Sequence, residues 1–504
     1  MLTTNRLLLR RWRPSDRVAF AALNASGIPS RRTCCSVRGV ENSSLFNHSK
    51  RVKFLTVPPP GGGEGVGMKQ SETIGPRWEL FVDDGLVESK RGVALRLSTP
   101  VRRELVLTTD RPWEGPASAY FTAIQDGKKV RLYYRGYCPG DQSLEQVTCL
   151  AESDDGIHFS RPNLGLFAFR GAKANNIVWQ GLEAHNFAPF LDTNPKTKPD
   201  ARYKALGGIN SKLYAFGSPD GVRWQKLSPA PVLTDGTFDS LNTAFFDEAL
   251  GKYRLYSRYF TQGEYSGYRA IQSCLSDDFL RWSKPEPNRY APGTPTEHFY
   301  TNAVRPCPGA PHVLLSFPKR FVPERTKLAG YKEPGVSDAV FMSSRDGLHW
   351  SRPFLEAWLR PGPDPHNWTQ RSNMPATGIM ETGDGEFSLY ASEHYDWPDH
   401  RLRRITVRRH GFASVHADAS GGEFTTRLLT VTGSRLVLNY ATSAAGSIQV
   451  EVLDPAGKPL AQSKPLFGDE LEGALDLNLA SLSSKPIKLR FLLKDADLYA
   501  FRTK

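Results

Sequence analysis

The sequence predicts an all-β protein: a five-bladed β-propeller followed by a C-terminal β-sandwich, with a poorly ordered N-terminal extension. Three observations lead to this fold class. From residue 78, short strand-like runs alternate with Gly, Pro, Asn and Asp, and helical periodicity over ten or more residues is scarce. A seven-residue turn signature recurs at near-equal spacing. Beyond residue 417, longer alternating strands replace this pattern.

The first 77 residues differ from the rest of the chain in charge. The 504 residues include 65 Lys and Arg against 52 Asp and Glu, which gives a net charge of +13. Residues 1–77 hold 13 basic and four acidic residues, so nine of the excess positive charges lie there. The remaining +4 is too small to indicate a polyanion partner, and we expect no binding to nucleic acid.

The N-terminal extension contains two kinds of segment. Residues 2–24 read as a short strand and an amphipathic helix, and they resemble the opening of GNAT-superfamily acetyltransferases. The Gly-rich pyrophosphate loop that such enzymes need has no counterpart downstream. Residues 58–63 have the composition of a linker, so we expect a fused or misassigned gene start, with Met68 as the working start.

Composition also sets expectations about location and cofactors. No apolar run is long enough for a signal-peptide core or a membrane span, which favours a cytoplasmic protein without a membrane partner. A secreted or periplasmic protein is expected instead if the true N-terminus is missing. The six cysteines include no Cys-x-x-Cys pair, so the sequence predicts no metal and no cofactor. It makes no prediction of oligomeric state.

The repeated signature has the form Ser-x-Asp-Gly-x-x-aromatic. The Asp side chain is expected to cap the loop backbone, Gly to adopt a positive φ, and the aromatic residue to pack between sheets. Because such turns join the outer strands of propeller blades, we interpret them as structural. The third copy has Phe279 in place of Gly, and successive copies lie 58 to 68 residues apart. The copies span 153–159, 218–224, 276–282, 344–350 and, in a degenerate form, 408–412.

These signals divide the chain into three predicted parts. Residues 1–77 are the extension, residues 78–417 the propeller with the expected catalytic site, and residues 418–504 an accessory β-sandwich. In a propeller the innermost strand of each blade lines a central channel, so side chains at the starts of these strands are expected to converge on one pocket.

A second repeat marks the starts of the innermost strands. Four of its five copies carry a carboxylate: Glu114, Glu183, Asp239 and Glu297. Like charges on converging strands resist desolvation and cost stability, so a catalytic use is the simplest reason to keep them. Paired carboxylates beside amides, hydroxyls and flat aromatic rings are what glycoside hydrolysis requires.

The segments 81–85, 238–240 and 296–298 carry acids in the order Asp, Asp, Glu. With five blades and a C-terminal sandwich, the chain resembles the invertase, levanase and arabinanase group, glycoside hydrolase families 32 and 43. The resemblance implies a base or nucleophile, a transition-state stabiliser and a general acid, in that order. The strings Trp-Met-Asn-Asp-Pro-Asn and Arg-Asp-Pro of invertases are absent, which leaves the first carboxylate open among Asp83, Asp84 and Glu114.

We therefore predict a glycoside hydrolase that cleaves an oligo- or polysaccharide through Asp84, Asp239 and Glu297. Alternative acids are Asp83, Glu114, Glu183 and Glu393. Alternative functions are a non-catalytic carbohydrate-binding propeller, a sialidase-like enzyme and a glycoside phosphorylase. The predicted sugar ligands are Trp113, His185, Asn186, Asn242, His298, Tyr300, Arg371 and Asn373.

Overall fold

The structure, a computed structural model, describes residues 71–139, 146–263 and 265–504. The predicted features of residues 2–24 and 58–63, and Met68, lie outside the described residues. The described chain is built from strands, with 3₁₀ turns at Leu182–His185, Pro199–Ala201, Pro365–Asn367 and Ala480–Leu482. Within it, none of the helical segments has the length and apolar character to cross a bilayer.

The first five strands precede the first complete blade. Four of them pair with strands from the C-terminal end of the chain, and the fifth joins the last blade. Their bounds are β1 (Glu72–Ile74), β2 (Glu79–Leu80), β3 (Val87–Arg91), β4 (Ala94–Leu97) and β5 (Val101–Thr108).

The next three blades are antiparallel four-stranded sheets in chain order from the channel outward. Blade 1 contains β6 (Ala119–Asp126), β7 (Lys129–Gly136), β8 (Val147–Ser153) and β9 (Ile177–Gln180). Blade 2 contains β10 (Ala188–Leu191), β11 (Tyr203–Ile209), β12 (Lys212–Ser218) and β13 (Gln225–Lys226). Blade 3 contains β14 (Thr243–Asp247), β15 (Lys252–Phe260), β16 (Arg269–Ser276) and β17 (Glu286–Pro287).

Blade 4 is interrupted, and its strands form three small sheets. One sheet holds β20, β21 and β24, a second holds β19, β22 and β23, and β18 pairs with β25. The bounds are β18 (Arg289–Tyr290), β19 (His298–Phe299), β20 (Arg305–Cys307), β21 (Ala310–Ser316), β22 (Lys319–Val322), β23 (Val336–Ala339), β24 (Met342–Ser344) and β25 (His349–Trp350).

Blade 5 is closed by a strand from the other end of the propeller. Its strands are β26 (Met380–Gly383), β27 (Glu386–Glu393) and β28 (Arg401–Arg408), and β5 pairs antiparallel with β28 as the outermost strand. The register aligns Arg401 with Thr108 and Thr406 with Val101. The all-β five-bladed propeller is therefore confirmed, and its ring closes through β5.

The C-terminal sandwich begins before residue 418 and includes N-terminal strands. Its strands are β29 (Ala413–Ala417), β30 (Gly422–Thr426), β31 (Leu429–Val431), β32 (Arg435–Leu453), β33 (Pro459–Gln462), β34 (Asp469–Asn478) and β35 (Pro486–Thr503). They form one sheet with β1–β4, and Phe81, Phe424, Phe491 and Phe501 pack in its core. Strand pairing thus assigns residues 72–97 and 413–417 to the sandwich, which differs from the expected boundaries at 78 and 418.

The repeated signature forms the predicted turns. Gly156, Gly221 and Gly347 have φ of 71°, 75° and 77°, and Phe279 at the same position of the third copy has φ of 67°. Phe279 adopts this unfavourable conformation with its side chain fully buried, packed against Phe190 and other rings of the core. In the degenerate fifth copy the positive φ lies at His410, and the chain continues into β29.

These turns also connect neighbouring blades. Tyr133 on the second strand of blade 1 donates its hydroxyl proton to the Gly221 carbonyl in the turn of blade 2 at 2.7 Å. Tyr256 of blade 3 does the same to Gly347 of blade 4. Tyr390 of blade 5 bonds the Gly156 carbonyl of blade 1. A Cβ at Gly221 would lie 2.7 Å from the Tyr133 hydroxyl, so the close approach requires glycine.

We predict that Asp155→Ala lowers the free energy of unfolding by about 1 kcal/mol, whereas Asp154→Ala leaves it unchanged. Asp155 accepts hydrogen bonds from the backbone N–H groups of Ile157 and His158, both at 2.8 Å. The adjacent Asp154 side chain is 87% exposed and serves as the matched control. Chemical denaturation measures both variants, and equal stabilities would contradict the capping role.

Candidate active site

Residues at the starts of the innermost strands converge at one end of the channel, which we call the channel mouth. Tyr120 of blade 1 donates its hydroxyl proton to the Asp239 carbonyl oxygen at 3.1 Å. The Tyr120 and Tyr300 hydroxyls lie 2.6 Å apart, and His185 Nε2 lies 3.4 Å from the same Asp239 carbonyl. With Arg371 before the inner strand of blade 5, these side chains come from all five blades.

Asp239 is held by an arginine of its own blade. Its carboxylate forms an ion pair with Arg258 of β15. The Arg258 side chain is 3% exposed and that of Asp239 25%, so the carboxylate reaches solvent while its partner does not. Because a buried guanidinium favours the ionised carboxylate, Asp239 is suited to accept a proton or to stabilise positive charge, rather than to donate a proton.

Two tyrosines at the mouth differ in acidity. Burial raises the pKa of Tyr120 well above its ordinary value, and the neighbouring Tyr300 raises it further. Burial also acts to raise the pKa of Tyr300, but Arg371 and Arg258 lower it below its ordinary value. Tyr300 is therefore the more acidic of the hydrogen-bonded pair, and its phenol is the better proton donor.

His185 is neutral in this setting. Burial lowers its pKa to about 3, and the charges of Arg135, Arg371 and Arg258 contribute to the shift. Its Nδ1 lies 2.8 Å from the Gln146 side-chain oxygen. A neutral imidazole offers one donor and one acceptor, which suits it to bind a sugar hydroxyl.

The predicted asparagines have positioning roles. Asn186 donates to the carbonyl oxygens of Phe238 and Ser240, the residues on either side of Asp239. Asn242 donates to the same two carbonyls. Both side chains are fully buried, so they fix the loop that carries Asp239 and are not placed to contact a sugar, which corrects the prediction that they are ligands.

Three further predicted ligands have partners within the fold. Asn373 is buried and donates to the Ser337 and Asn367 carbonyls. Trp113 packs against Phe169 and donates to Asn176 at 2.7 Å in the core of blade 1. His298 is half-buried, its Nδ1 accepts from the Arg269 backbone N–H, and its ring packs 4.8 Å from that of Tyr268.

Asp83 and Asp84 lie beside the outer turn of blade 4, because β2 before them pairs with β35 of the sandwich. Asp83 forms an ion pair with Arg345 at 3.2 Å and accepts from the Gly85 N–H. Asp84 is exposed and pairs with Lys90. Neither contacts Asp239, which corrects the expectation that Asp84 shares a pocket with it.

Glu114 and Glu183 are bound within blades 1 and 2. Glu114 is fully buried, receives two hydrogen bonds from Arg161 at 2.9 Å and a third from Tyr134. Glu183 binds Lys226 at 2.5 Å and accepts from Trp179. These carboxylates have a structural explanation that needs no substrate.

Glu297 forms ion pairs with two arginines, and Glu393 forms them with three. Glu297 binds Arg320 at 2.8 Å and Arg352 at 2.5 Å. Burial acts to raise the pKa of Glu393, but its ion pairs, foremost with Arg403, lower it overall. Both partners of Glu297 lie within the fold, so its ion pairs have a structural explanation, and its role as general acid stays a prediction.

The sequence reasoning missed the basic residues of the mouth: Arg135, Arg258, Arg269 and Lys319. A signal for two of them exists. Arg135 and Arg258 each follow an inter-blade tyrosine by two residues, Tyr133 and Tyr256, in equivalent strands. Because alternate residues of a strand share a face, each arginine lies on the same face of its blade as the tyrosine. This spacing could have predicted that both arginines occupy equivalent positions in the ring.

Other parts of the described chain offer weaker sites. Asp364, His366 and His394 have potential metal-ligand atoms within 4.8 Å of one another. His394 already bonds Asp364 and Asp399, however, and the Arg401 guanidinium lies 3.1 Å from its Nε2. A cation at that position disfavours a metal ion, so we interpret the group as a charged network.

A cavity of about 380 Å³ opens where the innermost strands end, at the opposite side of the channel. It is lined mainly by apolar residues, among them Phe190, Phe245 and Met380. Arg305 in its wall donates to backbone carbonyls of blades 2 and 3. The titratable residues in its lining are Glu248, Arg305 and Glu381.

We predict that Glu114→Ala lowers the free energy of unfolding by roughly 3–5 kcal/mol, because it leaves the Arg161 charge without its buried partner. Asp84→Ala, which removes an exposed ion pair, should change it by about 1 kcal/mol or less. Denaturant titration of both variants measures this contrast. A Glu114 variant as stable as the wild type would contradict the structural role.

No family model and no curated protein matches the chain, which leaves the acetyltransferase resemblance of residues 2–24 without support. A solved structure described as a glycoside hydrolase is 13% identical with a TM-score of 0.42, covering 62% of this chain and 92% of that one. A Bacillus subtilis family 43 arabinoxylan arabinofuranohydrolase is 10% identical with a TM-score of 0.38, covering 81% and 99%. A Bombyx mori family 32 β-fructofuranosidase is 10% identical with a TM-score of 0.40, covering 81% and 94%. At TM-scores below 0.5 these similarities add nothing to what the chain's own geometry establishes.

Proposed function

We propose that the protein is a carbohydrate-active enzyme that cleaves glycosidic bonds at the channel mouth. One observation carries the proposal: Arg258, which forms an ion pair with the Asp239 carboxylate, lies 5.4 Å from the centre of the Tyr300 ring, so this carboxylate and the acidified phenol belong to one site. Such a pair supplies the base and the acid that hydrolysis of a glycoside needs.

The proposed roles follow from charge. Asp239 removes a proton from the water that attacks the anomeric carbon, because Arg258 keeps it ionised. Tyr300 donates its phenolic proton to the leaving oxygen as the glycosidic bond breaks. Both groups return to their starting states by proton exchange with solvent. Tyr300 here takes the acid role that the sequence prediction gives to Glu297.

We predict that Asp239→Asn and Tyr300→Phe each lower kcat by about 10²-fold or more while the proteins remain folded. Release of new reducing ends from a panel of oligosaccharides measures turnover, and circular dichroism checks folding. Tyr300→Phe is isosteric apart from the hydroxyl, so it isolates the proton donor.

Glu297→Gln separates this proposal from the sequence prediction. If Glu297 is the acid, its variant loses turnover and Tyr300→Phe keeps it, which would contradict the Tyr300 assignment. If the wild type binds glycans without forming any product, the protein is a carbohydrate-binding propeller and the proposed enzyme activity is wrong.

We also predict a pH effect. Arg371 lowers the pKa of Tyr300, so its removal raises that pKa and keeps the phenol protonated to higher pH. Arg371→Met should therefore move the alkaline limb of the kcat–pH profile upward. Arg281→Met, which removes an exposed cation from the outer turn of blade 3, is the matched control. An unmoved limb would contradict Tyr300 as the acid.

A further inference from the structure

The channel mouth carries more positive charge than its own carboxylate balances. Besides Arg258, four cations lie there: Arg135, Arg269, Lys319 and Arg371. Among the described residues, Asp239 is the one carboxylate that forms an ion pair with any of these five, and its partner is Arg258. Like charges gathered in a partly desolvated site repel one another, so a bound anion would relieve the repulsion.

Arg269 is the least satisfied of these cations. Its Nε is buried without a hydrogen-bond partner, and no side-chain hydrogen bond of its guanidinium is found within the described chain. The group lies over the rings of Phe321 at 5.2 Å and Phe260 at 5.6 Å. Burial lowers its pKa, and the nearby charges of Arg258 and Arg371 lower it further.

Arg371 and Lys319 complete the group. Arg371 is half-buried and donates to the Tyr395 hydroxyl at 3.0 Å, which leaves most of its five donors free of described partners. Lys319 is buried, lies 4.7 Å from the centre of the Tyr300 ring, and donates to the Gln370 carbonyl. Burial, Arg371 and Arg269 lower the pKa of Lys319 well below its ordinary value.

We propose that Arg269 and Arg371, with Lys319 beside them, form an oxyanion site that binds the carboxylate or sulfate group of an acidic sugar. This inference rests on the proposed function, because the same mouth would hold the scissile bond. Guanidinium groups present paired donors that match a carboxylate or sulfate, and the interaction is charge-assisted.

The surroundings favour an anion attached to a sugar over free phosphate. Arg269 lies over the rings of Phe260 and Phe321, and both Lys319 and Arg258 lie over the ring of Tyr300. Flat aromatic faces beside charged donors suit a ring with an apolar face and an anionic substituent. A free phosphate ion would make no use of these rings.

The test measures binding of matched glycan pairs to the wild-type protein by calorimetry. Each pair has an acidic member and its neutral counterpart: glucuronate and glucose, galacturonate and galactose, and mannuronate and mannose oligosaccharides of equal length. A sulfated galactose oligosaccharide and inorganic phosphate complete the panel. We expect at least one acidic member to bind tenfold or more tightly than its neutral counterpart, with a preference that weakens as salt is added.

Variants assign the preference to the proposed residues. Arg269→Met and Arg371→Met should each reduce the preference for the acidic member to within about threefold, and Arg371→Lys should restore part of it by returning the charge. Arg281→Met, a distant arginine of the same blade as Arg269, should keep the full preference. The wild-type comparison and the salt dependence need no variant, so they test the proposed oxyanion site even if a variant fails to fold.

The outcomes separate this inference from the proposed function. Equal binding of acidic and neutral members in every pair overturns the oxyanion site. Binding of inorganic phosphate, without a preference among the sugars, also overturns it and indicates phosphate as a co-substrate. A preference that depends on Arg269 and Arg371, with no cleavage of the preferred glycan, keeps the site and rejects hydrolysis.

Discussion

The fold depends on a repeated bond between blades, in which a buried tyrosine hydroxyl binds the carbonyl of a neighbouring turn. Tyr133, Tyr256 and Tyr390 make it at the same 2.7 Å distance, and the last of them joins blade 5 to blade 1. The bond requires a turn whose backbone comes close to the ring, hence the glycines at positive φ. The repeated turn, which the sequence reveals as a local pattern, therefore also sets the distance between neighbouring blades.

The same ring geometry fixes the chemistry of the mouth. Buried Asn186 of blade 2 and Asn242 of blade 3 bind the backbone on either side of Asp239, and Tyr120 reaches Asp239 from blade 1. The backbone segment that carries the Asp239 carboxylate is thus held by three blades at once. Preorganisation of this kind limits the reorganisation that a reaction would otherwise require.

The repeated turns and the number of blades can be predicted from the sequence, but the partners of the buried carboxylates cannot. Each turn is formed by hydrogen bonds among its own residues, so every blade carries its own copy of the signature. Five blades could therefore be counted from the sequence. The roles of Glu114 and Glu297 depend on Arg161, Arg320 and Arg352, whose positions follow from tertiary packing alone. The sequence prediction places residues 78–97 in the propeller because nothing in a short strand reveals that its partner lies more than 300 residues away.

The pairing of N-terminal strands with strands far along the chain affects how the protein folds during synthesis. Strands β1–β4 find their neighbours in β29–β31 and β35, and β5 finds its neighbour in β28, so the earliest described strands stay unpaired until the last have been synthesised. Strands that stay unpaired expose backbone groups that can pair with the wrong strand or chain. A long loop must also close before each of these contacts forms. A nascent chain on the ribosome would therefore hold an open ring until β28 has emerged, and β2 would remain unpaired until β35 follows.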